Sequence, residues 1–94
     1  MNKKEALEII EKELSVFRSK NYSELKDRIG SEPFVKELTS ELGNFYQIEI
    51  QVFWDSEPNG NLRVIGSIDD GSLRAFVPLN SDFIMSPTGN FVGE

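Results

Sequence analysis

The chain predicts an α+β fold, an N-terminal helix plus a short second helix packed on a four-stranded antiparallel meander sheet. Three observations predict it. Leu7, Ile10, Leu14 and Phe17 recur at steps of three, four and three, which draws one apolar stripe along a helix. Tyr46, Ile48, Ile50, Val52 and Trp54 alternate with Gln47, Glu49, Gln51 and Phe53, the period of a half-buried strand. Turn-forming clusters at Asn59-Gly60 and Asp69-Asp70-Gly71 then separate further alternating runs, as hairpin connections do.

The first helix spans about 3–20, with Ala6 and Ile9 flanking the stripe. Asn2 followed by Glu5 resembles a capping box, and Glu8 to Lys12 is an i,i+4 pair on the outer face. The segment "NYSELKDRIG" offers a cap at Ser23, apolar Leu25 and Ile29, and Gly30 as a stop, which makes a second helix of about two turns. Pro33 discourages its continuation.

"PFVKELTSELG" suits a helix by the spacing of Phe34, Leu38 and Leu42, and an edge strand by its composition. The long alternating strand over 46–54 needs a partner on each side, and "TSELGN" has the make-up of a hairpin loop. A strand at 34–39 follows. Leu62, Val64, Gly66 and Ile68 form the third strand, and Leu73, Ala75, Val77 and Leu79 the fourth. Beyond Leu79 the chain reads as loop, with a turn at Pro87-Thr88-Gly89-Asn90 between Phe83-Ile84 and Phe91-Val92. Those four apolar residues pin the tail to the body.

Ninety-four residues, 38% hydrophobic and 28% charged, make one ordinary globular domain, 1–94. The chain has no cysteine and no histidine, which removes disulfides, thiolate chemistry, the commonest general base and the commonest metal ligand. No cofactor is expected. No apolar run is long enough for a signal peptide or a membrane span, so a cytoplasmic address is expected and a membrane partner is not. Net charge is −6, and the ten Lys and Arg residues are scattered among glutamates. Nucleic acid, which wants a clustered basic face, is excluded as a partner; a basic protein fits.

Helix followed by a curved antiparallel meander resembles the cystatin-like or nuclear-transport-factor-2-like roll. The stretch from Tyr46 onward, with its Trp54-Asp55, Ser67-Ile68-Asp69-Asp70-Gly71, Pro78-Leu79 and Gly93-Glu94 elements, is similar to a small, uncharacterised family of bacterial proteins. That resemblance implies a fold and no reaction, because rolls of this shape serve as enzymes, ligand pockets, dimerisation modules and immunity proteins alike.

Two adjacent aspartates raise the question of paired carboxylates. Asp-Gly is a strong turn signal, and the other carboxylates nearby (Asp55, Glu57 and Asp82) fall in expected loops, so a hairpin corner outweighs a metal or catalytic site. Arg63 and Arg74 sit on neighbouring strands opposite the apolar face, where they either pair with Glu49 or grip an anion. Phe53, Ile65 and Phe76 occupy polar-phase positions of three consecutive strands. Either they form an interaction surface, or the tail through Phe83, Ile84, Phe91 and Val92 covers them.

Two functions follow. The first is a noncatalytic protein-interaction module, of the immunity or accessory kind, or a homodimer, binding through Phe53, Ile65, Phe76, Arg63, Arg74 and Glu49. The second is a small-ligand domain or modest acid–base enzyme, with Glu49, Arg63, Arg74 and the Asp69-Asp70 corner in a pocket between helix and sheet. Small size, negative charge and the missing histidine and cysteine favour the first.

Overall fold

Asn2 opens the first helix: its side-chain oxygen accepts the Glu5 N–H at 3.1 Å, and helix α1 runs Lys3–Arg18. The computed structural model describes residues 1–71 and 78–94. Helix α2 is short, Tyr22–Lys26, and its cap is Asn21, whose side chain accepts from the Glu24 N–H at 2.8 Å; Ser23, expected as the cap, is the second residue of the helix. The strands are β1 (Phe34–Thr39), β2 (Phe45–Trp54), β3 (Leu62–Asp69) and β4 (Leu79–Met85). They pair in chain order, β1-β2-β3-β4, and each pair is antiparallel. This is the expected α+β meander. Among the described residues no helix is long and apolar enough to cross a membrane.

The turns follow their chemistry. At the β1–β2 hairpin, Ser40 N–H donates to the Asn44 carbonyl at 2.8 Å, and Gly43 takes the positive φ of 85°. At the β2–β3 hairpin, Asn59 itself adopts φ 66°, a conformation asparagine tolerates better than most residues.

The core lies between α1, α2 and one sheet face. Ala6, Ile10, Leu14 and Phe17 from α1 and Leu25 from α2 are buried against Tyr46, Ile48, Ile50 and Val52 of β2. Leu62, Val64 and Ile68 of β3 and Phe83 and Met85 of β4 complete it. Helix α1 lies across β3 and β4. It comes close at Gly66, where an added Cβ would stand 2.9 Å from Ile10 Cδ1 and 3.2 Å from Leu14 Cδ2. In this packing the short Ala6 is fully buried on the sheet side. Leu7, placed in the stripe by its spacing, is instead 44% exposed.

The fourth strand is displaced from its expected position. Ile68 pairs with Leu79, Val64 with Phe83 and Leu62 with Met85, so the strand begins where the sequence reads as loop. Leu73, Ala75 and Val77 of the expected strand lie outside the described residues. The true β4 hides its period because Ser81 occupies an inward-phase position opposite Gly66, where its hydroxyl donates to Glu11 on α1. The tail turns back at Gly89 and bridges Met85 with Phe91, while the Val92 N–H donates to the Ile84 carbonyl at 2.9 Å.

Candidate functional site: the outer face of the sheet

In a strand, successive side chains point to opposite faces. With Tyr46, Ile48, Ile50 and Val52 on the helix side, the register assigns Val35, Glu37, Glu49, Gln51, Phe53, Arg63, Ile65, Ser67, Asp69, Asp82 and Ile84 to the outer face. Val35, Glu49 and Ser67 stand in one cross-strand row; Gln51, Ile65 and Asp82 in the next; Phe53, Arg63 and Ile84 in the third. The candidate residues Phe53, Ile65, Arg63 and Glu49 therefore share one surface. Phe76 and Arg74 lie outside the described residues.

The tail does not cover this surface in the way its apolar residues suggest. Phe83 is a core residue on the helix side, and Phe91 meets it edge-on at 5.7 Å between ring centroids. The Arg18 guanidinium of α1 sits 4.7 Å from the Phe83 ring and 4.9 Å from the Phe91 ring, and it pairs with Glu94 at 2.8 Å. These contacts draw the tail toward α1. Of the four tail residues, Ile84 alone falls in the outer phase of β4, half-buried beside Arg63. Phe53 is left 43% exposed and Val35 65% exposed.

Arg63 is already engaged. Its Nε donates to Asp55 Oδ1 at 3.0 Å and its Nη1 to Asp82 Oδ2 at 2.5 Å. The Asp55 contact above all, with Asp82 behind it, raises the guanidinium pKa further. The expected pairing with Glu49 does not occur. Glu49 stands opposite Ser67, four residues along β3 from Arg63, about 13 Å at the rise of a strand. An anion site built on Arg63 would have to displace two carboxylates.

The opposite end of the face is acidic. Glu37 and Asp69 flank Gln47 in a fourth row, with Glu49 beside them, and no described Lys or Arg shares that end. A hollow of about 290 Å³ runs over it, lined by Val35, Glu49, Gln51, Ile65, Ser67 and Pro78 among others. Asp69 serves the turn reading: its Oδ1 accepts the Gly71 N–H at 2.7 Å, and Gly71 has φ 73°. Asp70 lies 3.6 Å from the Met1 ammonium. Among the described residues no group of three or more acidic side chains could hold a metal ion.

A polar cluster that the sequence does not announce lies at the start of α1. Glu5 Oε1 accepts from the Tyr46 hydroxyl at 2.8 Å, Ser40 Oγ at 2.9 Å and Asn44 Nδ2 at 3.0 Å. The Asn44 amide first, then the two hydroxyls, hold the carboxyl below its usual range against the pull of partial burial. Burial and the neighbouring carboxylate push the Tyr46 phenol up to about 12. Through this bond the phenol ties β2 to the start of α1. Glu5 thus gives its side chain to the β1–β2 hairpin instead of closing the capping box back onto Asn2. The signal in the sequence was Ser40-Glu41-Leu42-Gly43-Asn44, whose polar ends fit a loop equally well without a helix to hold.

Between α1 and β1 an open groove of about 510 Å³ is lined by Glu5, Ile9, Glu13, Lys36 and Leu38, with Lys36 and Glu13 paired at 2.6 Å. Glu49 and Arg63, expected in a pocket on this side, lie on the opposite face of the sheet. No family model matches the chain, and neither a curated protein nor a solved structure is significantly similar to it.

Proposed function

We propose that the chain is a noncatalytic protein-interaction module of the immunity or accessory kind, working in the cytoplasm and built on a cystatin-like or nuclear-transport-factor-2-like roll. One observation carries the reading: the sheet's outer face combines wet apolar groups with uncompensated acid. Phe53 and Val35 are exposed, Ile65 and Ile84 are half-buried, and Glu37, Glu49 and Asp69 have no described cation among them. Exposed apolar patches rimmed by charge mark interaction surfaces. The sign of the rim selects a basic protein partner, and such complementarity speeds encounter more than it deepens affinity.

The test is a comparative pull-down from lysate of the native host, with four baits: wild type, Phe53→Ser, Glu49→Lys and the helix-side control Leu7→Ser. The reading expects one protein retained in stoichiometric amount by wild type and Leu7→Ser, and lost from both face variants. Retention of the same proteins by all four baits, or of none by wild type, contradicts it.

A further inference from the structure

The sheet contains a second place where a partner chain can join, apart from the outer face. Strand β2 runs to Trp54, but β1 pairs with it only as far as Phe34 opposite Ile50, leaving Gln51–Trp54 without a strand on that side. Pro33 stands where β1 would continue. The ladder stops at Phe34 all the same: the chain before it belongs to the loop from Arg28 to Pro33, and residue 32, which the register would place opposite Val52, is not in a strand.

Which backbone groups are left open follows from the alternation of antiparallel hydrogen bonds. The Ser40 N–H donates to the Asn44 carbonyl, so pairing toward β1 falls on the even-numbered residues of β2. The Asp55 N–H donates to the Asn61 carbonyl at 2.9 Å, so pairing toward β3 falls on the odd-numbered ones. The two ends of the strand agree. The N–H and C=O groups of Val52 and Trp54 therefore point away from β3, and no described strand meets them.

They point into a notch of about 480 Å³, walled by the loop from Arg28 to Pro33 and floored by β2. Ile29, Pro33 and Trp54 are half-buried there. The two charged residues at its lips, Arg28 and Glu32, are opposite in sign, and the Arg28 guanidinium sits 5.1 Å from the Phe17 ring. A neutral, apolar floor selects an occupant uncharged over its central residues. The overhang of four residues sets its length at about 13 Å of extended chain.

We infer that this notch binds an extended, uncharged, β-branched segment of a partner protein as an added strand, with main-chain hydrogen bonds to Val52 and Trp54. The occupant lies in line with β1, which the chain itself leaves short. Trp54 is the one tryptophan in the chain, so its emission reports occupancy.

The probe is acetyl-Thr-Val-Thr-Val-Thr-amide, titrated into the full chain while Trp54 emission and the amide hydrogen exchange of Val52 and Trp54 are followed. The expected result is a saturable emission change, with exchange at both amides slowed at least tenfold. The same peptide N-methylated at its three central residues binds at least tenfold more weakly. Glu49→Lys, which belongs to the outer face, leaves the response unchanged, so failure here and failure of the face reading are separable. Three results overturn the proposal: no saturable change, equal binding of the methylated peptide, or exchange at Val52 and Trp54 unchanged at saturation. Protection of those amides that rises with protein concentration, without peptide, assigns the notch to a second copy and overturns it as well.

Discussion

Gly66 decides how closely α1 approaches the sheet. A side chain there would meet Ile10 and Leu14 at 2.9–3.2 Å in a filled core. Gly66→Ala is expected to cost about 1–3 kcal/mol by overpacking, read as a lower midpoint in urea with an unchanged slope. Leu14→Ala, at a fully buried position, is expected to cost about 2–5 kcal/mol in the same assay. Leu7→Ala, exposed on the same helix, is expected to stay within about 0.5 kcal/mol of wild type. The spacing of the sequence treated Leu7 and Leu14 alike. What separates them is the side of the helix that meets β3, where Gly66 lies under Ile10 and Leu14, and periodicity along the helix does not register a contact so distant in sequence.

The Glu5–Tyr46 pair makes stability depend on pH at both extremes, with opposite signs. Glu5 titrates below its ordinary value of 4.5 in the folded chain. Its contribution is present above that value and is lost as pH falls through the folded one. Tyr46 titrates above its ordinary 10.0, at about 12. Its contribution is present below pH 10.0 and is lost as pH rises toward 12. Glu5→Gln is expected to flatten the acid side of a stability–pH curve, and Tyr46→Phe to remove a tyrosinate absorbance step centred near 12.

At the scale of elements, the first helix is set by its start. Asn2→Ala removes the oxygen that receives the Glu5 N–H and is expected to cost about 1 kcal/mol, measured by thermal or urea unfolding. Four of the six elements could be read from local pattern: both helices, the long second strand, and the third strand with its turns; β1 fitted helix and strand alike and was settled only by its neighbour's need for a partner. Their inward positions are apolar without interruption, apart from Lys36, which reaches Glu13, and Gly66. The sixth, β4, could not. Leu79, Ser81, Phe83 and Met85 form its inward phase, and the serine at the second position breaks the alternation that reveals a strand. Its partner, Glu11 on α1, is seventy residues away in sequence. Where the tail packs was left open by the sequence for a similar reason: the Arg18 guanidinium beside Phe83 and Phe91 is a long-range contact that no local pattern encodes.

At the scale of the whole molecule, the meander has one face committed to the core and another that, among the described residues, carries the Arg63 ion pairs and no packed helix. Phe53, Ile65 and Glu49 were legible as members of one surface because strand period alone fixes the face a residue takes. The partners of Arg63 were not. Pairing depends on register: the β2–β3 register sets Glu49 four residues away and leaves Asp55 in reach, and Asp82 comes from a β4 whose position the sequence concealed. The most direct measurement places a photoreactive benzoylphenylalanine at Phe53 and, separately, at Leu7 and Val16, which are exposed on the helix side. Irradiated in the native host, the outer-face account predicts one discrete covalent adduct from position 53 and none from 7 or 16. Adducts from the helix positions with none from 53 would contradict it.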